Sequence, residues 1–285
     1  MAQTVKIISD STCDLSKDLL EKYDIAILPL HILLGETEYR DGVDITPEEI
    51  FRWSDENKTT PKTSAPSMTE AMEVMKPFLD EGREIICFSI SDSMSTSGNV
   101  MRLAAEELEA SDKVTVINSA NLSTGIGLQV IQAALLSAEG KTRAQITAAI
   151  EEIRPRVRAS FTVDTLTYLY RGGRCNAVVA LAGTMLKLHP RIVVEDGAMD
   201  ASKKYRGKLS SVILSYTKDM EDDLKNAVPD RVFITHSGCD REIVESVRSY
   251  LESLGIFNEI LETRAGGVIS SHCGPGTLGV LFIEK

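Results

Sequence analysis

The chain has 285 residues, of which 43% are hydrophobic and 5% aromatic, and its 31 Lys and Arg against 42 Asp and Glu give a net charge of −11. This acidic balance argues against a nucleic-acid-binding protein, because neutralising phosphates requires a basic face. No apolar run reaches the roughly 18 residues of a transmembrane helix, and the N-terminus lacks the charged and apolar regions of a signal peptide. We therefore expect a cytoplasmic protein without an integral membrane segment.

Short β-branched runs alternate with helical patterns in the first half of the chain. We predict buried strands at 4–8, 83–90 and 113–117, each followed by a helix. Thr46 and Ser67 each begin a capping box, a pattern typical of helix N-termini. This alternation predicts a mainly parallel sheet covered by helices on both faces.

The same pattern begins again after about residue 158. The predicted elements are a strand at 159–163, a short helix at 164–173, an apolar helix at 176–188, a hairpin at 191–202 that turns at Asp196-Gly197, a helix at 208–225, a strand at 231–237, a helix that ends near Leu254, and closing strands. We therefore predict an α/β protein of two lobes with mainly parallel sheets. The lobes are assigned to residues 1–158 and 159–285, with the boundary near 154–158.

Small hydroxyl residues follow the predicted strands, at the sheet edge where parallel sheets bind their ligands. The loops 9–15, 91–98 and 118–125 are rich in Ser and Thr, and a further loop predicted at 62–67 has the same composition. Free N–H groups at helix starts, together with clustered hydroxyls, form a hydrogen-bonding site suited to an anionic head group. For any single loop, helix capping by the same residues is the alternative.

Arg171 and Arg174 stand on either side of two glycines in YRGGRC (170–175). The glycines allow the backbone to approach a ligand closely, and one guanidinium pointing inward suits a carboxylate or a phosphate. The alternative is a helix end followed by two solvated arginines.

His272 and Cys273 precede a Gly-Pro-Gly sequence (274–276) between two apolar runs. We expect this tight turn to follow a strand and to hold the His272 ring in place and exposed. Cys273 is a poor nucleophilic partner for it, because adjacent side chains in a strand or turn usually diverge. His236 also follows a predicted strand and is interpreted as a structural residue.

No motif of a nucleotide-binding, hydrolytic or metal enzyme is present. The chain lacks a GxxxxGK[ST] loop, a complete GxGxxG fingerprint, a GxSxG elbow and an HExxH pair. Its five cysteines are scattered without CxxC or CxxH spacing. We therefore predict no metal site and no cofactor.

Six motifs in order along the chain resemble the DegV family. They are DSTCDL (10–15), LPLHI (28–32) with YRDGVDI (39–45), KTSAPS (62–67), LYRGGR (169–174), HSGCD (236–240) and SSHCGPGTLG (270–279). The resemblance covers essentially the whole chain and implies two α/β lobes with a long-chain fatty acid in the crevice between them. It also implies a carrier without enzymatic activity, which presents the fatty acid carboxylate to a separate ATP-dependent fatty acid kinase for acyl-phosphate formation and phospholipid synthesis.

The resemblance further implies which residues contact the ligand carboxylate. They are Thr63, Ser64, Ser95, Arg174 and His272. The chain departs from the family where residues 95–98 read Ser-Thr-Ser-Gly in place of S-G-T-Y, so Ser97 is the alternative to Ser95. The apolar helices 124–138 and 176–188 are candidates for the walls of an acyl tunnel, although such helices are more often core.

A basic cluster at 203–208 stands out on this acidic protein. We predict that Lys203, Lys204 and Arg206 dock an acidic face of the kinase by electrostatic steering. The alternative is the solvated end of a hairpin.

Two other functions stay open at this point. One is an enzyme on a small phosphorylated or carbonyl substrate, with His272 as the acid–base or covalent group. The other is a lipid-responsive regulatory protein whose output is a protein contact.

Overall fold

A computed structural model describes residues 4–175 and 188–285. Its strands are β1 (Val5–Asp10), β2 (Ile25–Leu28), β3 (His31–Leu34), β4 (Thr37–Arg40), β5 (Lys62–Ser64), β6 (Glu84–Ser89), β7 (Val114–Asn118), β8 (Val157–Thr162), β9 (Leu188–Glu195), β10 (Ala198–Arg206), β11 (Arg231–Ser237), β12 (Glu259–Arg264) and β13 (Thr277–Ile283). Its α-helices are α1 (Lys17–Lys22), α2 (Pro47–Asn57), α3 (Met68–Asp80), α4 (Ser97–Glu107), α5 (Thr124–Ala138), α6 (Arg143–Ile153), α7 (Thr167–Gly172), α8 (Leu209–Lys218), α9 (Glu221–Lys225), α10 (Arg241–Leu254) and α11 (Gly267–Cys273).

A four-stranded parallel sheet in the order β2-β1-β6-β7 forms the centre of the N-terminal lobe. All six residues of β1 are buried, as expected of a strand covered by helices on both faces. The predicted capping boxes are present, since Thr46 and Ser67 each exchange hydrogen bonds with the glutamate three residues later. The three predicted strands of this lobe and its parallel sheet are confirmed.

The six-stranded sheet of the C-terminal lobe has the order β10-β9-β8-β13-β11-β12. Only β11 and β12 pair in parallel, and the other four pairings are antiparallel. The two α/β lobes are confirmed, but the prediction of a mainly parallel sheet is wrong for this lobe. The reason is that β9 and β10 form a hairpin without a crossover helix, and β13 returns between β8 and β11. The boundary at residues 158 and 159 stays a prediction; this sheet begins at Val157.

A small antiparallel sheet, β4-β3-β5, links the N-terminal lobe to α11. The segment 62–64, expected to be loop, is its strand β5, in which Thr63 pairs with Ile32. Ile32 packs with Ile50 of α2 and Val268 of α11 in one buried cluster. The sheet therefore places β5 beside a helix of the other lobe.

One predicted helix of the C-terminal lobe is divided in two, and another lies mostly outside the described residues. The helix predicted at 208–225 is divided into α8 and α9, because the chain turns at Asp219 and buries Met220 in the core. The helix predicted at 176–188 lies outside the described residues except for Leu188, which begins β9.

Helix α5 lies between the two large sheets and contacts β1 on one side and β8 and β13 on the other. Eleven of its residues are buried, and the Thr124 hydroxyl lies 2.6 Å from that of Thr235 in the other lobe. The helix thus forms part of a core shared by both lobes. Within the described ranges, no helix is both long and apolar enough to cross a membrane.

Candidate functional site

A cavity of about 480 Å³ lies where loops of the N-terminal lobe meet α11 and β10 of the C-terminal lobe. This volume falls within the range of small-molecule sites. The structure brings all five predicted contact residues to its wall: Thr63, Ser64, Ser95, Arg174 and His272. Their role toward a carboxylate stays a prediction, but their convergence is a property of the fold.

Three further polar residues, Asp92, Ser93 and Thr96, also line the cavity, and the rest of its wall is apolar. Its apolar lining residues are Leu30, Ala65, Ile90, Met94, Leu122, Met199, Val268 and Ile269, together with the Cys273 thiol. A smaller space of about 30 Å³ shares Leu122, Ile269 and Cys273 with it and reaches Phe161 and Leu281 in the C-terminal sheet. A polar rim followed by an apolar interior suits a ligand with one polar head and a long hydrocarbon tail.

The expectation that His272 occupies an exposed turn after a strand is wrong. His272 lies in the last turn of α11, and its ring is largely enclosed. The helix ends at Gly274, whose φ of 77° is left-handed, so the Gly-Pro-Gly sequence follows the helix instead of holding the ring. Burial, assisted by the positive charge of Arg174, lowers the pKa of His272 to about 4. The imidazole is therefore neutral at pH 7.

The two ring nitrogens of His272 have different surroundings. Nε2 lies 2.8 Å from the Thr63 hydroxyl, whereas Nδ1 is buried and has no hydrogen-bond partner among the described residues. A neutral imidazole carries one proton, and a proton on Nδ1 would be a buried donor without an acceptor. We therefore assign the proton to Nε2, which donates to Thr63 and leaves the threonine O–H free to donate into the cavity.

Gly172 of the YRGG sequence explains the position of the His272 ring. A Cβ atom at Gly172 would lie 2.3 Å from Nδ1, so only glycine allows the ring to pack there. Gly173 has a different role, since its φ of 66° ends α7 with open space around it. The two glycines are thus required for separate reasons, one steric and one conformational.

Arg174 lies at the exposed rim of the cavity, and its Nη1 donates to the carbonyl oxygen of Gly172 at 2.8 Å. Arg171 is exposed and does not line the cavity. Of the two arginines expected around the glycines, Arg174 is the one placed to contact an anion.

The structure distinguishes Ser95 from Ser97. Ser95 lines the cavity, and its hydroxyl oxygen accepts a hydrogen bond from the Ser97 N–H at 3.2 Å, which leaves the hydroxyl proton for a ligand. Ser97 is fully buried and donates to Asp10 Oδ2 at 2.9 Å. The geometry therefore favours Ser95 as the contact residue.

Not all of the hydroxyl-rich loops border the cavity. The segment 62–67 and the loop 91–98 do so, whereas the loop 118–125 contributes only Leu122 and the loop 9–15 contributes nothing. The expectation for the loop 9–15 is wrong, because its polar groups bind the protein itself. Asp10, for example, accepts hydrogen bonds from Thr12, Ile90 and Ser97, and burial raises its pKa.

Two residues that the sequence interpretation missed hold the beginning of α11. The carboxylate of Asp14 accepts from the Gly266 N–H at 2.8 Å, and that of Asp41 accepts from the Gly267 N–H at 2.6 Å. Burial raises the pKa of Asp41 to about 6 and that of Asp14 well above its ordinary value. Their presence in the DSTCDL and YRDGVDI motifs was the available signal, but these contacts span more than 200 residues of sequence.

The basic cluster lies on β10, an edge strand of the six-stranded sheet. Lys203 is paired with Asp219, with 2.6 Å between Nζ and Oδ2. Lys204 and Arg206 are exposed, and neither forms an ion pair with any residue that the structure describes. Those two, together with the exposed Lys208 that follows β10, are therefore the available cations of this cluster.

Known proteins are similar to this chain in sequence and architecture. The family model described as "Uncharacterised protein, DegV family" matches residues 4–285. A DegV domain-containing protein of Clostridium perfringens is 32% identical over 281 residues, with 99% of each chain covered.

Two solved structures are similar at comparable identity. A fatty-acid-binding DegV family protein of Thermus thermophilus superposes with a TM-score of 0.91 at 31% identity, over 99% of this chain and 100% of that one. A stearic-acid-binding protein of Eubacterium ventriosum has a TM-score of 0.85 at 32% identity, over 99% of this chain and 98% of that one. The chain described here belongs to the DegV family.

Proposed function

We propose that this protein binds a long-chain fatty acid in the cavity between its lobes. The observation that carries the proposal is the arrangement of that cavity, whose eight polar lining residues are exposed or half-buried, whereas its apolar lining residues other than Ala65 are buried. The fatty acids bound by the relatives from Thermus thermophilus and Eubacterium ventriosum support the same ligand class.

The hydrocarbon tail supplies most of the binding free energy in this proposal. A saturated C16 chain buries about fifteen methylenes at roughly 0.8 kcal/mol each. The fatty acid loses translational freedom when it binds and its chain becomes ordered, and these costs offset several kcal/mol of that gain. The head-group residues then select a carboxylate and orient it.

The proposed carboxylate site contains hydroxyl donors and one cation. Thr63, Ser64 and Ser95 offer hydroxyl groups, and Arg174 offers a guanidinium at the rim. His272 is neutral and acts through Thr63, whose proton it leaves free for the ligand. The site thus binds an anion with little buried positive charge.

We also propose that the protein is a carrier that presents the carboxylate to a separate ATP-dependent fatty acid kinase in the cytoplasm. A carboxylate oxygen attacks the γ-phosphorus of ATP, the new C(O)O–P bond forms, and ADP leaves. The exposure of Ser64 and Arg174 at the rim supports access to the head group from outside. Lys204 and Arg206, together with the partly neutralised Lys203, are the proposed docking cations.

An enzyme that uses His272 is the alternative of a different class. A general base is commonly oriented by a carboxylate, whereas His272 contacts a threonine hydroxyl, and its low pKa makes it a weak base at pH 7. These observations favour the carrier. A lipid-responsive regulatory protein would use the same cavity and differ in its partner.

Native mass spectrometry of freshly purified protein tests the proposed ligand. We expect a co-purified mass of a C14 to C20 fatty acid, and reloading by added fatty acid after delipidation. A cavity that stays empty in the presence of added fatty acid would contradict the proposal. Incubation with a cognate kinase and ATP then separates carrier from regulator, because only a carrier yields acyl phosphate.

A further inference from the structure

The tip of the β9–β10 hairpin contacts the loop that carries Ser95. The hydroxyls of Ser91 and Ser93 both donate to the carbonyl oxygen of Gly197, at 2.6 and 2.5 Å. Since a carbonyl oxygen has two lone pairs, these two donors use the acceptor fully. We call this pair of hydrogen bonds the interlobe serine contact, because the serines belong to the N-terminal lobe and Gly197 to the C-terminal lobe.

The turn at Asp196-Gly197 makes this contact possible. Both residues have positive φ, 48° and 79°, as a two-residue hairpin turn requires. Gly197 is also required for space, because a Cβ atom there would lie 2.6 Å from Ser91 Oγ. The turn that the sequence predicts thus has a second consequence, which is to bring a backbone carbonyl against two serines of the other lobe.

Ser91 connects the contact to the carboxylate site. Its backbone carbonyl accepts hydrogen bonds from the N–H groups of Met94 at 2.9 Å and Ser95 at 3.2 Å, and Ser91 itself is buried. On the hairpin side, Met199 lies two residues beyond Gly197 and lines the same cavity. The contact therefore joins two walls of the cavity that come from different lobes.

We propose that Ser91, Ser93 and Gly197 are positioning residues for the carboxylate site and that the interlobe serine contact slows release of the bound fatty acid. Ser93 lines the cavity, but its proton is donated to Gly197, so it holds the loop and does not bind the head group. The inference rests on the proposed fatty acid binding and adds the residues that govern retention.

The test measures dissociation of preloaded ¹⁴C-stearate into an excess of phosphatidylcholine vesicles. Replacing both serines, Ser91→Ala with Ser93→Ala, should accelerate dissociation at least about 5-fold, the effect of losing one net hydrogen bond. Ser202→Ala is the matched control, because its hydroxyl bonds the Arg191 carbonyl within the same hairpin. The control should release stearate at the wild-type rate.

Gly197→Ala perturbs the same contact from the opposite lobe. Its added methyl collides with Ser91 Oγ in the wild-type background but not in Ser91→Ala, while the cost of alanine at positive φ is common to both. We therefore expect Gly197→Ala to accelerate release less in the Ser91→Ala background.

Three results decide the inference. A wild-type release rate in the double-serine variant would overturn it. So would a Gly197→Ala substitution that accelerates release equally in the wild-type and Ser91→Ala backgrounds. If the double variant does not fold, Ser93→Ala alone provides the test, because Ser93 is exposed and its replacement should not disturb folding. Stearate release from this single variant should still be faster than from the wild type. Wild-type protein that binds no stearate would refute the proposed function itself, and the inference with it.

Discussion

His272 Nε2 and Thr63 Oγ1 lie 2.8 Å apart although 209 residues separate them in the chain. The threonine belongs to β5 of the small sheet and the histidine to α11, so this hydrogen bond crosses from one lobe to the other. Through it, the largely enclosed and neutral imidazole orients a hydroxyl toward the cavity. A carboxylate bound beside Thr63 would be influenced by His272 through that hydroxyl.

Thr63→Val tests that arrangement. The substitution keeps the shape of the side chain and removes the hydroxyl, so one hydrogen bond to the carboxylate is lost and Nε2 loses its acceptor. We expect fatty acid affinity to fall about 10- to 100-fold, the effect of one hydrogen bond to a charged group. Displacement of a fluorescent fatty acid measures it. Thr63→Ser, which keeps the hydroxyl, should stay near wild type, and equal affinities for the valine and serine variants would contradict the assignment.

Gly172→Ala should displace the His272 ring without touching the ligand. The new methyl would lie 2.3 Å from Nδ1, so the ring must move and the hydrogen bond to Thr63 must lengthen. We expect a loss of fatty acid affinity similar to that of His272→Ala, measured by the same displacement assay. Gly173→Asn is the control, because asparagine tolerates the left-handed φ and meets open space. If Gly172→Ala binds the fatty acid with wild-type affinity, the position of the His272 ring does not matter for binding.

The low pKa of His272 predicts a pH dependence of stability in delipidated protein. The unfolded state binds a proton below about pH 6.5 and the folded state only below about pH 4, so folding loses stability as the pH falls between these values. From pH 7.5 to pH 5 this loss is about 2 kcal/mol. Urea unfolding of wild type and His272→Gln at both pH values measures it.

The comparison with His272→Gln removes the contributions of other groups. Asp41, whose pKa is raised to about 6, acts in the opposite direction, since its folded carboxyl binds a proton first as the pH falls. Both proteins retain Asp41, so its effect cancels in the difference. An identical pH dependence in the two proteins would mean that His272 titrates normally in the folded state.

Asp41→Ala should destabilise the protein by removing the acceptor of the Gly267 N–H. Leaving that buried N–H and the Ser11 hydroxyl without a partner costs about 1–3 kcal/mol. Asp41→Asn keeps an acceptor and avoids a buried charge above pH 6, so its cost at pH 7.5 should be smaller. Urea unfolding checks the order of the two variants, and an asparagine variant as unstable as the alanine variant would count against the hydrogen-bonding role.

Reversing the exposed cations of β10 tests the docking proposal. Lys204→Glu with Arg206→Glu should slow kinase-dependent acyl-phosphate formation about 10-fold at low salt, with a smaller effect at high salt. Fatty acid affinity should not change, because neither residue lines the cavity. Lys113→Glu is the control, since this exposed lysine lies just before β7, at the sheet edge away from the cavity. If the double variant supports acyl-phosphate formation at the wild-type rate, this face is not a docking surface for the kinase.

Much of the fold could be predicted from local sequence patterns. The strands 4–8, 83–90 and 113–117, the capping boxes at Thr46 and Ser67 and the turn at Asp196-Gly197 all appear where expected. Each depends on side-chain periodicity or on backbone preferences within a few residues, and such properties are present in the sequence itself. The five residues predicted to contact the carboxylate came instead from the resemblance to the DegV family, whose motifs are spread along the whole chain.

Other features depended on contacts between distant segments. The antiparallel C-terminal sheet results from β13 returning between β8 and β11, which no local pattern encodes. His272 is enclosed because Asp14 and Asp41 hold the start of α11 and Gly172 leaves room for its ring. The sequence by itself determined which residues carry polar groups and which segments are strands or helices. Only the tertiary structure decided which of those polar groups face the cavity and which are used to hold the lobes together, because that choice depends on packing across more than 200 residues.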